Sequence, residues 1–330
     1  MPRITIAGSE HAFDAAPAET LLAAATRAGV RLPHACTLGG CGTCRVRVTS
    51  GDVRYEAWPL ALAADEAAQG FALACQAQPT TDVTIDVSRI EVAEPARHQA
   101  LVIDVAHHGE LVTHLKLVLP ELATFEFRPG QHMNICLEDG VQRSFSMASR
   151  PAGNEIDFHI RRIAGGRFTD AALQALLPGD MLEVELPHGT FCYHAEDYRE
   201  LLMVATGTGL APIKSILESL HDDPDCPPVA LYWGARDESW LYADAEIRGW
   251  AERLYDFKYH PVLSRPGPSW QGRTGHVQEA VLADFTDLSE HSIYLCGSPN
   301  MIRDAKRAFL DRGASLDHLY SDGFNFQPRS

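Results

Sequence analysis

Nine residues limit what this chain can fold into more than any other stretch: Cys36-Thr37-Leu38-Gly39-Gly40-Cys41-Gly42-Thr43-Cys44. A fourth cysteine, Cys75, follows in Leu-Ala-Cys-Gln. The pattern C-x4-C-x2-C with a distant fourth cysteine is the plant-type spacing for a 2Fe–2S site, in which four thiolates converge on two irons. Convergence demands a tight wrap of the chain. Gly39, Gly40 and Gly42 allow it, because a backbone without Cβ atoms approaches the sulfurs and turns its N–H groups toward them. The alternatives are a zinc site and ordinary buried thiols. Structural zinc usually takes cysteines in close C-x2–4-C pairs, and Cys75 has no such neighbour. The spacing therefore favours the cluster, with Cys36, Cys41, Cys44 and Cys75 as its ligands. Cys136, Cys192 and Cys226 carry no metal spacing and read as buried or incidental thiols.

The rest of the chain falls into segments by period. Residues 1–90 read as one small α+β domain: Ile4–Ile6 and Ala12–Phe13 as a hairpin, Glu19–Gly29 as a helix, and Arg45–Thr49 and Val83–Val87 as alternating strands. Thr20 suits the cap of that helix, Leu21, Leu22, Ala25 and Ala28 its apolar face, and Gly29 its stop. The order is that of a β-grasp domain. Residues 91–98, polar and carrying Pro95, read as a linker. Residues 99–196 show strands at Leu101–Ala106, Val112–Leu119, Met133–Leu137 and Ile156–Ile163, one helix at Phe168–Leu177, and Pro-Gly turns at Pro129 and Pro178. A small antiparallel β-barrel follows from these signals. Residues 197–330 alternate strands (Leu201–Ala205, Val229–Trp233, Ser292–Cys296) with helices (Ile213–His221, Trp240–Leu254, Met301–Arg312), the signature of a doubly wound parallel sheet.

Several short stretches carry chemistry. Arg143-Ser144-Phe145-Ser146 suits a flavin: guanidinium on the pyrophosphate, ring against the isoalloxazine, hydroxyl near N5. A plain surface strand explains the tetrapeptide as readily. Gly165-Gly166-Arg167-Phe168-Thr169 opens the one helix of its domain, where free N–H groups favour a phosphate; a simple turn is the alternative. His159 and Arg161, on the strand between the two stretches, are counted with them. Gly207-Thr208-Gly209-Leu210-Ala211-Pro212 joins a buried strand to a helix, with Pro212 where a strict dinucleotide fingerprint has its third glycine. A tight helix-start turn without a ligand is its alternative.

These stretches resemble the R-x-Y-S, G-G-x-x-[ST] and G-T-G-x-A-P motifs of the ferredoxin–NADP reductase superfamily. Pro129-Gly130-Gln131, Pro178-Gly179-Asp180 and Pro187-His188-Gly189 fall where that superfamily has its barrel turns. Cys296-Gly297-Ser298-Pro299-Asn300-Met301 resembles its C-G-x-P-x-M stretch, which makes Cys296, Gly297 and Met301 neighbours of the flavin and nicotinamide rings. The ending Tyr320-Ser321-Asp322-Gly323-Phe324 is similar to one in which an aromatic covers the flavin, with Phe324 in that place. The chain departs from the pattern at Thr37, where many relatives have Arg, at Phe145 for Tyr, and at Gly323 for Ala. The resemblance spans nearly the whole chain, in the order ferredoxin, FAD barrel, NAD domain. That order is similar to reductases of bacterial oxygenase systems, of the phenol hydroxylase and benzoate dioxygenase type, and to CDP-6-deoxyglucoseen reductases.

The resemblance implies three cofactors: a 2Fe–2S cluster, FAD and NADH. A nicotinamide delivers two electrons as hydride and a cluster takes one at a time, so the flavin stands between them. Ser146, Cys296 and Phe324 are the residues expected at the reacting rings. The implied partner is a terminal oxygenase or another one-electron protein acceptor. The alternatives are the reductase partner of a deoxysugar dehydrase and a redox sensor. NADH is preferred over NADPH because Arg236, beyond the second strand of the last domain, is followed at once by Asp237 and Glu238, which repel a 2′-phosphate. A net charge of −16 argues against nucleic acid and anionic lipid. No apolar run reaches membrane-spanning length, and the strand-like start shows no signal peptide. A cytoplasmic monomer is expected.

Overall fold

The structure, a computed structural model, describes residues 1–34, 36–87 and 94–324. The chain gathers into two compact units. The first comprises Met1–Val92, Ser298–Arg303 and Ser321–Ser330, the second Ala93–Gly297 and Asp304–Tyr320.

In the first unit five strands lie in the order Ala12–Asp14, Arg3–Ile6, Val83–Val87, Arg45–Ser50, Phe71–Leu73. Arg3–Ile6 and Val83–Val87 are parallel, and the other pairs antiparallel, as a β-grasp sheet requires. The helix Leu21–Arg27 crosses it, and Thr20 accepts a hydrogen bond from Ala23 N at 3.2 Å as its N-cap. Its buried face is Leu21, Leu22, Ala24 and Ala25. Ala24 takes the place expected of Ala28, which lies past the last helical turn and is exposed. These side chains meet Ile4, Val46, Leu73 and Ile85 in one core, each fully buried leucine contributing about 2 kcal/mol. A second helix, Ala64–Ala68, has no periodic signal and is held by the Glu66 carboxylate, which accepts from Ala63 N at 2.9 Å.

In the second unit six antiparallel strands run in the order Gln142–Ser146, His132–Cys136, Met181–His188, Ala96–His108, Val112–Val118, Glu155–Arg161. A bridge between Met147 and Phe158 brings the two edges together, which closes the barrel around Leu115, Leu117, Met133, Ile135 and Phe158. Of the expected linker, residues 91–93 lie outside the described residues. Ala96–His98 are already strand, paired with Val184–Leu186. The helix expected at Phe168–Leu177 is a wide π-type turn, Phe168–Ala172, followed by Leu173–Ala175.

The parallel sheet has the order Arg273–Thr274, Phe257–Leu263, Val229–Ala235, Glu200–Thr206, His291–Gly297, Leu319–Gly323. Pairing from Arg273–Thr274 through His291–Gly297 is parallel throughout. The helix expected over Trp240–Leu254 is instead three short pieces, Glu238–Trp240, Asp244–Gly249 and Trp250–Glu252. Asp237 caps the first piece by accepting from Ser239 N, and the chain leaves helical geometry at Leu241 and Ala243. Barrel and sheet are joined within this unit by Ser215, whose hydroxyl donates to Ser149 O at 2.6 Å and accepts from Gly130 N at 3.3 Å. Among the described residues no helix is long and apolar enough to cross a membrane.

One barrel residue carries a pH prediction. His132 is buried, stacked on His188 at 5.6 Å, and burial, followed by His188, holds its pKa down to about 3. The unfolded chain takes this proton near pH 6.5, the native protein only near 3. Stability is therefore complete above about 6.5 and falls on acidification, by up to about 1.4 kcal/mol per pH unit. Unfolding midpoints measured from pH 7 to 5 should fall less steeply in His132→Gln; an unchanged slope would remove His132 from the account.

Candidate active site

In the first unit the cysteine loop brings the four sulfurs together in two pairs. Cys36 is paired with Cys41, and Cys44 with Cys75, each thiol close enough to shift the titration of its partner. Gly39 makes the wrap possible: its φ is +73°, and a Cβ there would stand 2.8 Å from Pro59 Cβ. Leu38 N donates to the Cys36 sulfur at 3.4 Å, and the Gly40 and Cys41 N–H groups also lower the Cys36 pKa, as that of Gly39 lowers that of Cys75. In each pair the sulfurs compete for one proton. The Cys41 thiol pulls Cys36 down to about 5 while Cys41 itself is pushed up, and Cys75 is pulled down as Cys44 rises. Two sulfur pairs ringed by backbone donors fit a two-iron cluster with two thiolates per iron. Among the described residues no three His, Cys, Asp or Glu side chains gather around a single ion.

The same unit holds a neighbour that sequence reading missed. Gly323 N donates to Cys41 O at 3.4 Å, and Asp322 is pushed up to about 7 by burial, then by Cys36. No spacing signals this, because the contact joins the last strand to a loop almost three hundred residues earlier. Phe324 follows, half-buried, and Met301, in the same unit, is buried with its N–H on Ser298 Oγ at 3.2 Å.

In the second unit the two flavin stretches meet. Strand alternation puts Arg143 and Phe145 on one face and Ser144 and Ser146 on the other. The Phe145 ring packs on Phe168 at 5.5 Å, which joins Arg143–Ser146 to Gly165–Thr169. Ser146 and Thr169 are buried. Ser144 Oγ donates to Asn134 Oδ1 at 2.7 Å, and Arg143 Nη1 to Gln142 O at 2.9 Å. A Cβ on Gly166 would lie 2.3 Å from Thr169 Oγ1, so only glycine lets the turn close on that hydroxyl. Asp170, absent from the sequence-based set, accepts from Gly165 N at 2.7 Å and from Arg162 Nε at 3.0 Å, and Arg167 pairs with Asp139. Two guanidinium groups, a buried hydroxyl and a flat aromatic face are the donor set that a flavin dinucleotide needs.

The two nicotinamide stretches also meet, at the ends of neighbouring parallel strands where Ala205 pairs with Cys296. Gly207–Gly209 forms a single turn leading into the helix Leu210–Ser219, in which Pro212 is buried. Gly209 lies against the main chain of Cys296, whose side chain is fully buried, and Gly297 lies against Thr206. Arg161 lies over the Trp240 ring at 5.0 Å, and partial burial, then the nearby Arg236, hold its pKa below the usual range. The turn, the strand ends and two arginines present N–H groups and positive charge, which fit a dinucleotide. His159 lies two residues before Arg161 on the same barrel strand. Its Nδ1 is hydrogen bonded to Tyr242 Oη at 3.1 Å.

Three family models account for most of the chain: a 2Fe-2S iron-sulfur cluster binding domain over residues 4–80, an oxidoreductase FAD-binding domain over 99–193, and an oxidoreductase NAD-binding domain over 203–307. Reductase component 1 of terephthalate 1,2-dioxygenase from Comamonas is 33% identical over 332 residues, 99% of this chain and 98% of that one. The chain belongs to the family of three-domain iron–sulfur flavoprotein reductases. The CDP-6-deoxy-L-threo-D-glycero-4-hexulose-3-dehydrase reductase of Yersinia pestis is 32% identical to this reductase, over 92% of this chain and 93% of its own. The crystal structure of an Amycolatopsis cytochrome P450 reductase superposes on the reductase with a TM-score of 0.73 at 30% identity, covering 98% of this chain and 99% of that one. The reductase is thus an oxidoreductase built for a 2Fe–2S cluster, FAD and a nicotinamide dinucleotide.

Proposed function

We propose that this reductase serves a terminal oxygenase that hydroxylates aromatic rings, draws its electrons from NADH rather than NADPH, and works as a cytoplasmic monomer. Support for the partner comes from the relatives named as dioxygenase reductase components. The observation that carries the electron route is the set of four cysteines in two pairs, which commits the first unit to single-electron chemistry. Bound together, the nicotinamide, FAD and cluster supply hydride donation, splitting of the electron pair and one-electron delivery.

The chain's own residues hold and orient these groups. Arg143 and Arg167 neutralise the FAD pyrophosphate, Phe145 packs at the flavin, and Ser146 offers a hydroxyl at its reacting edge. Cys296 and Gly297 border the rings. Gly207, Thr208, Gly209 and Pro212 shape the turn that receives the NADH pyrophosphate. Arg236 stands by the adenosine ribose. Asp237 and Glu238 beside it are both anchored, Asp237 by Ser239 N at 3.0 Å and Glu238 by Gly267 N at 3.1 Å. Fixed carboxylates there oppose a 2′-phosphate. Arg273, which could have offset them, is paired with Asp284 at 2.7 Å. Steady-state reduction of cytochrome c with each dinucleotide tests the proposal. Sustained turnover is expected, with kcat/KM for NADH at least about tenfold the higher, a difference of roughly 1.4 kcal/mol. A higher value for NADPH would reverse the cofactor choice, and a halt after one turnover would favour a sensor.

A further inference from the structure

Trp233 sits at the centre of the parallel sheet, fully buried and paired with Ala205 of the strand that leads into the nicotinamide turn. Its indole Nε1 donates to Gly207 O at 2.9 Å, so the first carbonyl of the turn is held by a side chain from the next strand. The Tyr242 ring stands edge-on to that indole at 5.2 Å and 86°. Tyr242 Oη reaches the barrel, where it is hydrogen bonded to His159 Nδ1 at 3.1 Å, and its ring meets the His159 ring edge-on at 5.1 Å. His159 in turn lies edge-on to His114 at 5.2 Å, and His114 Nε2 lies 3.5 Å from Asp157. Five side chains thus run without a gap from the outer face of the barrel to the Gly207 carbonyl. Trp233 is fully buried and Tyr242 and His159 half-buried, and edge-to-face rings joined by hydrogen bonds resist turning, since each would lose its neighbours.

We propose that Tyr242 and Trp233 are positioning residues: together with His159 they form a strut that fixes the Gly207–Gly209 turn relative to the barrel, and so sets where the dinucleotide pyrophosphate lies with respect to the flavin. Neither Tyr242 nor Trp233 has a place in any motif. Trp233 reads in sequence as the end of a buried strand and Tyr242 as part of a helix, and His159 meets the strut from the barrel through Tyr242. A strut of this kind converts barrel geometry into turn geometry, and a misplacement of about 1 Å in a bound reactant can cost on the order of a hundredfold in rate.

The inference rests on the assignment of the Gly207–Gly209 turn to the dinucleotide pyrophosphate, and calorimetric titration of the intact holoprotein with NAD+ tests that assignment separately. If the unmodified protein binds no NAD+, that assignment fails, and the strut's stated purpose with it. Given binding, Tyr242→Phe, which removes one oxygen, and Trp233→Phe, which removes the donor to Gly207, should each weaken NAD+ by about fivefold while FAD and iron content stay at the unmodified level. The double variant should be no weaker than the weaker single one, because either change breaks the same strut. Amide exchange at Gly207–Gly209 should quicken in both variants, an effect that a remote packing role for Tyr242 would not produce. If one variant fails to fold, the other carries the test alone. NAD+ affinity and exchange equal to the unmodified protein, or fully additive losses in the double variant, would overturn the proposal.

Discussion

Cys75→Ser should leave NADH-driven reduction of ferricyanide largely intact while cytochrome c reduction falls by on the order of a hundredfold or more. Cys75 forms a pair with Cys44 at the far end of the cluster loop, and no other cysteine stands in the Cys75 segment to replace it. Losing a residue that merely supports a metal ligand typically costs ten- to a hundredfold, so losing a ligand itself should cost more. The second unit, with its own barrel and parallel sheet, contains none of the four cysteines. Hydride uptake should therefore survive there and reach a small acceptor such as ferricyanide. Equal loss of both activities would mean either that the first unit is needed to fold the second or that the order of electron flow differs.

Gly209→Ala should cut NADH-dependent reduction by on the order of a hundredfold, whereas Gly207→Ala, two residues away, should be tolerated. An added Cβ on Gly209 would lie 2.3 Å from Cys296 O, 2.6 Å from Cys296 C and 2.8 Å from Gly297 Cα. All three are main-chain atoms of a buried strand, which cannot move aside as the tip of a side chain can. The turn must shift instead, and with it the site for the pyrophosphate, for which a loss on the order of a hundredfold is expected. Gly207 is the opposite case. Its φ is +54° but nothing lies within 4 Å of an added Cβ, so alanine there meets only the left-handed backbone strain of about 1–2 kcal/mol. NADH reduction kinetics on both variants, with FAD retention measured alongside, check the contrast. Similar behaviour of the two would mean that packing against Cys296 does not set the turn.

The cysteine site was legible because its information is local: four residues at a rigid spacing, with glycines wherever the backbone must close. The two flavin stretches and the two nicotinamide stretches were legible for the same reason, and Phe145 with Phe168, and Gly209 with Cys296, bring each pair together. What escaped depended on partners distant in sequence. His159 finds Tyr242 83 residues later, and Gly165 N–H meets a carboxylate on the very helix it was expected to open. The broken helix after Trp240 shows a related difficulty. Its apolar residues follow no single period because Tyr242 serves the barrel contact and Ile247 and Trp250 the sheet core. The helix Val277–Asp284 went unseen because its signal is one reach-back contact, the Glu279 carboxylate accepting from His276 N at 3.2 Å.

The central claim is that hydride accepted in the second unit leaves through the cysteine site of the first as single electrons. Anaerobic addition of one equivalent of NADH, followed by low-temperature electron paramagnetic resonance, tests it most directly. The unmodified protein should give the signal of a reduced 2Fe–2S cluster, and Cys75→Ser should lack it. A bleached flavin with no cluster signal in the unmodified protein would contradict the account.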